Sequence, residues 1–184
     1  MSSTSLPPIN DLPTLPKAEQ TAILDLLFEP SPPLHDLASP LFKDPHDSYK
    51  ALINTLRTHL YSLRKSSLPT LDAILQSHPR LGAAKVDSAQ SRAEQASLGS
   101  SNPASDPSDE AATLKALNDE YERAFPGLRY VVFVNGRSRE IIMRDMRRRI
   151  ARGNSNEERR EGIEVSLLFL VDSFPSSLVS RACC

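Results

Sequence analysis

The sequence predicts an all-α fold, and two observations carry that expectation. Apolar residues recur at three- and four-residue spacing in seven separate stretches. Only one short run, LRYVVFV at 128–134, has the character of a strand or buried extended segment, and it has no second strand to pair with.

The elements follow in order. Nine of the fifteen prolines fall in residues 1–45, and residues 1–14 read as a flexible lead-in. A first helix is expected from Pro16, with Ala18, Ala22, Ile23, Leu26 and Leu27 at helical spacing. It should stop at Glu29-Pro30-Ser31-Pro32-Pro33, where prolines remove donors and clash with the preceding turn. Residues 47–64 carry an amphipathic stripe of Tyr49, Leu52, Ile53, Leu56, Leu60 and Leu63. Residues 69–77 form a shorter helix, with Pro69 in its first turn and Leu71, Ile74 and Leu75 inward.

Residues 84–98 are helix-compatible, and SLGSSNPASDPSD at 97–109 reads as a polar surface loop. Leu114, Leu117 and Tyr121 mark the next helix, and Ile142, Met146 and Ile150 the one after. Ser155 and Glu158 have capping-box spacing for a last helix.

With 184 residues and a net charge of −1, the chain suits one helical domain and no bulk polyanion or membrane surface as main partner. Cys183 and Cys184, the only cysteines, are adjacent and cannot staple a fold or complete a four-ligand zinc site. No stretch of about 18 apolar residues occurs, and MSSTSLPPIN has no basic-then-apolar leader pattern. A cytoplasmic location is the expectation.

The residues bear on four chemistries. Nine arginines between Arg137 and Arg160 suit a phosphate backbone, but acidic residues lie among them and no aromatic is interleaved. A solvated helix face is the expected reading, without nucleic acid. His35, His46, His59 and His78 form no metal-ligand spacing, so no metal is expected. Neither a nucleophile elbow nor a glycine-rich phosphate loop is present. The fourth is SHPRLG at 77–82 followed by SRAEQ at 91–95. Pro79 biases His78 away from helical torsions, so the ring stands at a helix mouth. Ser91, Glu94 and Gln95 share a helical face at i, i+3 and i+4. One imidazole, hydroxyl, carboxylate and carboxamide in one cleft suit proton transfer on a small, nitrogen-rich ligand. The same residues also fit an exposed helix end beside an exposed polar helix.

Five segments occur together in an informative order: LFEPSPPLHDLA at 27–38, SHPRLG, SRAEQ, LKALNDEYERAFPGLRYVVFVNGRSREIIM at 114–143 and RRRIARGNSNEERREGIE at 147–164. In that order the chain resembles the 2-oxo-4-hydroxy-4-carboxy-5-ureidoimidazoline (OHCU) decarboxylases of urate breakdown, over a domain spanning residues 15–165. The resemblance implies an all-helical homodimer, no cofactor, a ureidoimidazoline substrate and (S)-allantoin as product. It makes His78 the catalytic histidine. Pro79, Ser91, Glu94 and Gln95 become substrate-binding residues, and Val131, Val132, Phe133 and Val134 the cleft wall, through main-chain amides. An imidazole of ordinary pKa near 6.5 can hold the transferred proton at neutral pH. The resemblance adds the peroxisome as a second compartment, although RACC is not a Ser-Lys-Leu type address.

One departure stands out. The family's last helix carries an arginine that reaches substrate, where this chain has Ser173, followed by Pro175. Residues 166–184 therefore form an atypical tail. The alternative function is a catalytically impaired member that only binds a ligand or partner.

Overall fold

The computed structural model describes residues 6–82 and 107–172. Among these, seven α-helices are present and no strand: α1 (Lys17–Leu27), α2 (Pro32–Ala38), α3 (Tyr49–Ser66), α4 (Leu68–Gln76), α5 (Pro107–Ala124), α6 (Arg139–Arg152) and α7 (Ser155–Asp172). Two short 3-10 turns, Ile9–Thr14 and Leu41–Lys43, pack on each other. The fold is all-α, as the sequence predicts.

The α3 stripe lies in the core as expected, with Leu52, Ile53, Leu56, Leu60 and Leu63 buried. Its N-terminus is capped by Ser48 Oγ, which accepts from Ala51 N–H at 3.2 Å. The expected helix at 69–77 is α4, with Leu71, Ile74 and Leu75 buried. In α1 the buried set is Ile23, Leu24 and Leu27, while Leu26 is 48% exposed. The helix thus turns inward a face shifted from the expected one, with Leu24 buried in place of Leu26.

Residues 9–14 of the expected lead-in are folded. Leu12 is buried in the core, and Gln20 Nε2 donates to its carbonyl at 2.9 Å. Pro107, Ser108 and Asp109, read as loop from the sequence, open α5. Residues 128–134 run without regular structure between α5 and α6, and bury Leu128, Tyr130, Val131 and Val134.

Helix α7 is set against both α3 and α4, while α5 packs on α6. Along α4 and α7 the contacts advance together. Arg159 forks onto Asp72 through two bonds of 2.7 Å. One turn on, Gly162 faces Leu75: a Cβ there would lie 3.2 Å from both leucine methyls. A further turn brings His78 to Ser166. The two helices therefore run in the same direction along this seam, and a missing side chain sets their closeness.

The start of α7 differs from the capping box. Asn154 Oδ1 accepts from Asn156 and Glu157 N–H at 3.1 and 3.2 Å, making Asn154 the cap. Glu158 turns inward instead. Its side chain is fully buried and meets Arg149 Nη2 at 2.6 Å, Tyr121 Oη at 2.5 Å, and Arg152. Arg149, itself 2% exposed, also donates to the Val131 carbonyl at 3.0 Å and stacks 4.7 Å above the Tyr130 ring. Burial alone would raise the Glu158 pKa; bonds from Arg149 and Tyr121 outweigh it and hold the carboxyl below its ordinary range.

The solvated-face reading of the arginine run holds for Arg144, Arg147, Arg148 and Arg160, which are exposed, and fails for three others. Arg149 is buried, Arg159 holds α4, and Arg152 bridges Glu158 and Glu161. No described helix is long and apolar enough to cross a membrane.

Candidate active site

The SHPRLG turn is fastened at several points. Arg80 forks onto Glu122 of α5 at 2.8 and 2.6 Å and reaches Asp119 at 2.9 Å. Asn118 Nδ2, buried in α5, donates to the Leu81 carbonyl at 3.0 Å. Gly82 takes a positive φ of 79°, and a Cβ there would come within 2.7 Å of Leu114. The turn fits against α5 only with glycine at that position.

These anchors fix His78 between two others. Arg129 Nη1 donates to the His78 carbonyl at 3.0 Å, so the 128–134 segment clamps its backbone. On the ring, Nε2 lies 2.7 Å from Ser166 Oγ of α7, and Ser166 Oγ donates to the Gly162 carbonyl at 2.8 Å. Ser166 is buried and His78 partly so.

Desolvation is the largest cause of a lowered His78 pKa, with the Arg129 charge adding to it, and together they bring the imidazole to about 4. The ring is therefore neutral at physiological pH. This corrects the expectation of an imidazole near 6.5 that stores a proton: the resting group offers a lone pair.

The expected site residues divide. Pro79 adjoins His78 in the fastened turn. Ser91, Glu94 and Gln95, with the helix expected at 84–98, lie outside the described residues. Val131 and Val134 are buried. Val132 and Phe133 line a cavity of about 360 Å³, with Arg137, Arg160, Glu164 and Val165 among its other walls. Several carbonyls of this segment are already engaged: Val131 by Arg149, Phe133 and Val134 by Arg137. His78 is not in the wall of that cavity. It meets α7 one residue further round the helix, at Ser166 instead of Val165.

Sequence reasoning missed Ser166, Arg129 and the Arg149–Glu158 pair. A signal existed for two of them. Arg149 continues the Ile142–Met146 stripe at helical spacing. Ser166 falls four residues after Gly162 and eight after Glu158, on the buried face of α7. Nothing local marks Arg129.

Among the described residues, no group of three or more His, Cys, Asp and Glu side chains is placed to hold a metal. The class so far is an all-helical protein with a neutral histidine built into a fastened turn. A family model, OHCU decarboxylase, matches residues 13–166, and the chain belongs to that family. Its general role is accordingly that of a decarboxylase, a carboxy-lyase acting on a small molecule. No curated protein matches the chain.

Proposed function

We propose that this protein decarboxylates 2-oxo-4-hydroxy-4-carboxy-5-ureidoimidazoline to (S)-allantoin, in urate degradation, with His78 as the proton-transfer group. The observation that carries the reading is the neutral imidazole of His78, held by Ser166 and Arg129 in a domain of the OHCU decarboxylase family.

The chemistry asks little of the protein. As the bond to the departing carboxylate breaks, its electron pair moves into the adjacent ring C=N bond, and the ring nitrogen takes a proton from solvent. The substrate is its own electron sink, and no cofactor enters. The resulting enol must then lose its hydroxyl proton and gain one at the neighbouring carbon. A neutral imidazole accepts the first proton at its lone pair and returns it to one face of that carbon, which sets the handedness. The sum is substrate carboxylate plus one proton giving carbon dioxide and allantoin. Ser91, Glu94 and Gln95 hold the ureido and ring groups in this reading, and Val132 and Phe133 form part of the wall.

Freshly generated substrate added to the purified protein should give a growing circular-dichroism signal of one allantoin enantiomer. A rate no faster than the spontaneous, racemic reaction would sink the proposal.

The second reading, a binding-only member, draws on the family match ending at residue 166. Ser173, where the family has arginine, lies outside the described residues, so the tail is decided by rate. The homodimer follows the resemblance, and sedimentation equilibrium at micromolar concentration should find two chains per particle.

A further inference from the structure

A neutral imidazole has one N–H and one lone pair, and a proton-transfer role depends on which nitrogen holds which. Ser166 is the described group bonded to His78 Nε2, at 2.7 Å. A serine hydroxyl has a single proton, and that of Ser166 points at the Gly162 carbonyl 2.8 Å away, one helical turn back. Its oxygen therefore faces Nε2 with lone pairs, and Nε2 must be the donor.

We propose that Ser166 is a positioning residue for His78: by committing its own proton to Gly162 it accepts the Nε2–H hydrogen, fixing the imidazole lone pair on Nδ1 as the atom that takes the substrate proton. This deepens the reading of His78 as the proton-transfer group and rests on it.

The seam between α4 and α7 supports the arrangement. Gly162 serves twice, as acceptor for the Ser166 proton and as the gap into which Leu75 fits. The Asp72–Arg159 fork two turns earlier fixes the register of the helices. A serine that only satisfied its own helix would need neither this closeness nor an imidazole across the seam. Ser166 acts through His78 and needs no contact with substrate.

The test uses the full chain labelled with ¹⁵N at histidine, the His78 signals being assigned by their loss in His78→Asn. The parent at neutral pH should give the nitrogen pattern of an Nε2–H tautomer. Ser166→Ala should shift the tautomer balance away from Nε2–H, with kcat down about tenfold and KM within twofold; a histidine catalyst trapped wholly in the wrong tautomer loses as much as about 10⁴-fold. Ser166→Thr, which keeps the hydroxyl, should restore the parent tautomer and most of kcat. An Nδ1–H pattern in the parent overturns the proposal even if Ser166→Ala fails to fold. So does a Ser166→Ala protein with parental tautomer and kcat. If His78→Asn keeps its activity, the proton-transfer role falls instead, while the parent spectrum still decides the hydrogen bond.

Discussion

Replacing Arg149 by methionine tests how much the buried arginine–glutamate centre holds the fold. Methionine fills most of the stem volume, so the loss is chiefly of charge and hydrogen bonds. Glu158 would lose its contacts at 2.6 and 2.7 Å, and the Val131 carbonyl its donor at 3.0 Å. Stranding one partner of a buried pair costs about 3–5 kcal/mol. Arg152 and Tyr121 still reach Glu158, so the lower end applies, about 3 kcal/mol. For a chain of this size that corresponds to a fall in Tm of roughly 6–12 °C. Thermal and urea unfolding followed by circular dichroism would measure it. Adding Glu158→Leu should recover much of the loss, because no buried charge is then left unpaired. A single-mutant loss below about 1 kcal/mol, the worth of an exposed pair, would refute the reasoning.

Further outcomes are expected. His78→Asn should lower enantioselective allantoin formation at least 10²-fold with helical content unchanged, as loss of a general acid–base does, to within about 10²–10⁴; retention of a tenth of the activity would remove His78 from the mechanism. Stability should fall in acid, for two reasons of the same sign. The His78 pKa is lowered in the folded state from 6.5 to about 4, so the unfolded chain binds the extra proton first, and stability declines as pH drops through that interval. Glu158, held below its ordinary 4.5, adds a loss at lower pH as its carboxylate is protonated. Urea midpoints at several pH values would show this, with the upper part of the decline missing in His78→Asn; a flat profile would contradict it. Replacing residues 168–184 by an amphipathic helix that includes Ser173→Arg should raise turnover at least tenfold, since a charge-assisted bond is worth about 1.5–3 kcal/mol. Equal rates for parent and chimera would mean that the arginine is not needed here.

Much of the fold was legible because it is written in single-helix periodicity. The six-residue stripe of α3 and the Leu71–Ile74–Leu75 face of α4 need nothing beyond spacing to be read. What escaped depends on partners distant in sequence. Arg149 looks like one more surface charge until Glu158 and the Tyr130 ring enclose it. Glu158 has the spacing of a capping-box partner for Ser155, but its carboxylate turns inward and Asn154 caps the helix instead. His78 was legible as a helix-end imidazole, but not its neutrality, which comes from burial and from Arg129 in a segment 51 residues away.

His78 and Ser166 are separated by 88 positions, and the second lies on the helix that packs against both α3 and α4. During synthesis the histidine turn leaves the ribosome long before its partner exists. Until α7 arrives, the α3 and α4 faces that it covers have no lid, and the imidazole lacks the Ser166 hydroxyl. Docking of α7 closes the core and completes the histidine's setting in one event. Acquisition of activity would then be a late marker of folding, and a nascent chain stopped short of residue 166 would be both unstable and silent.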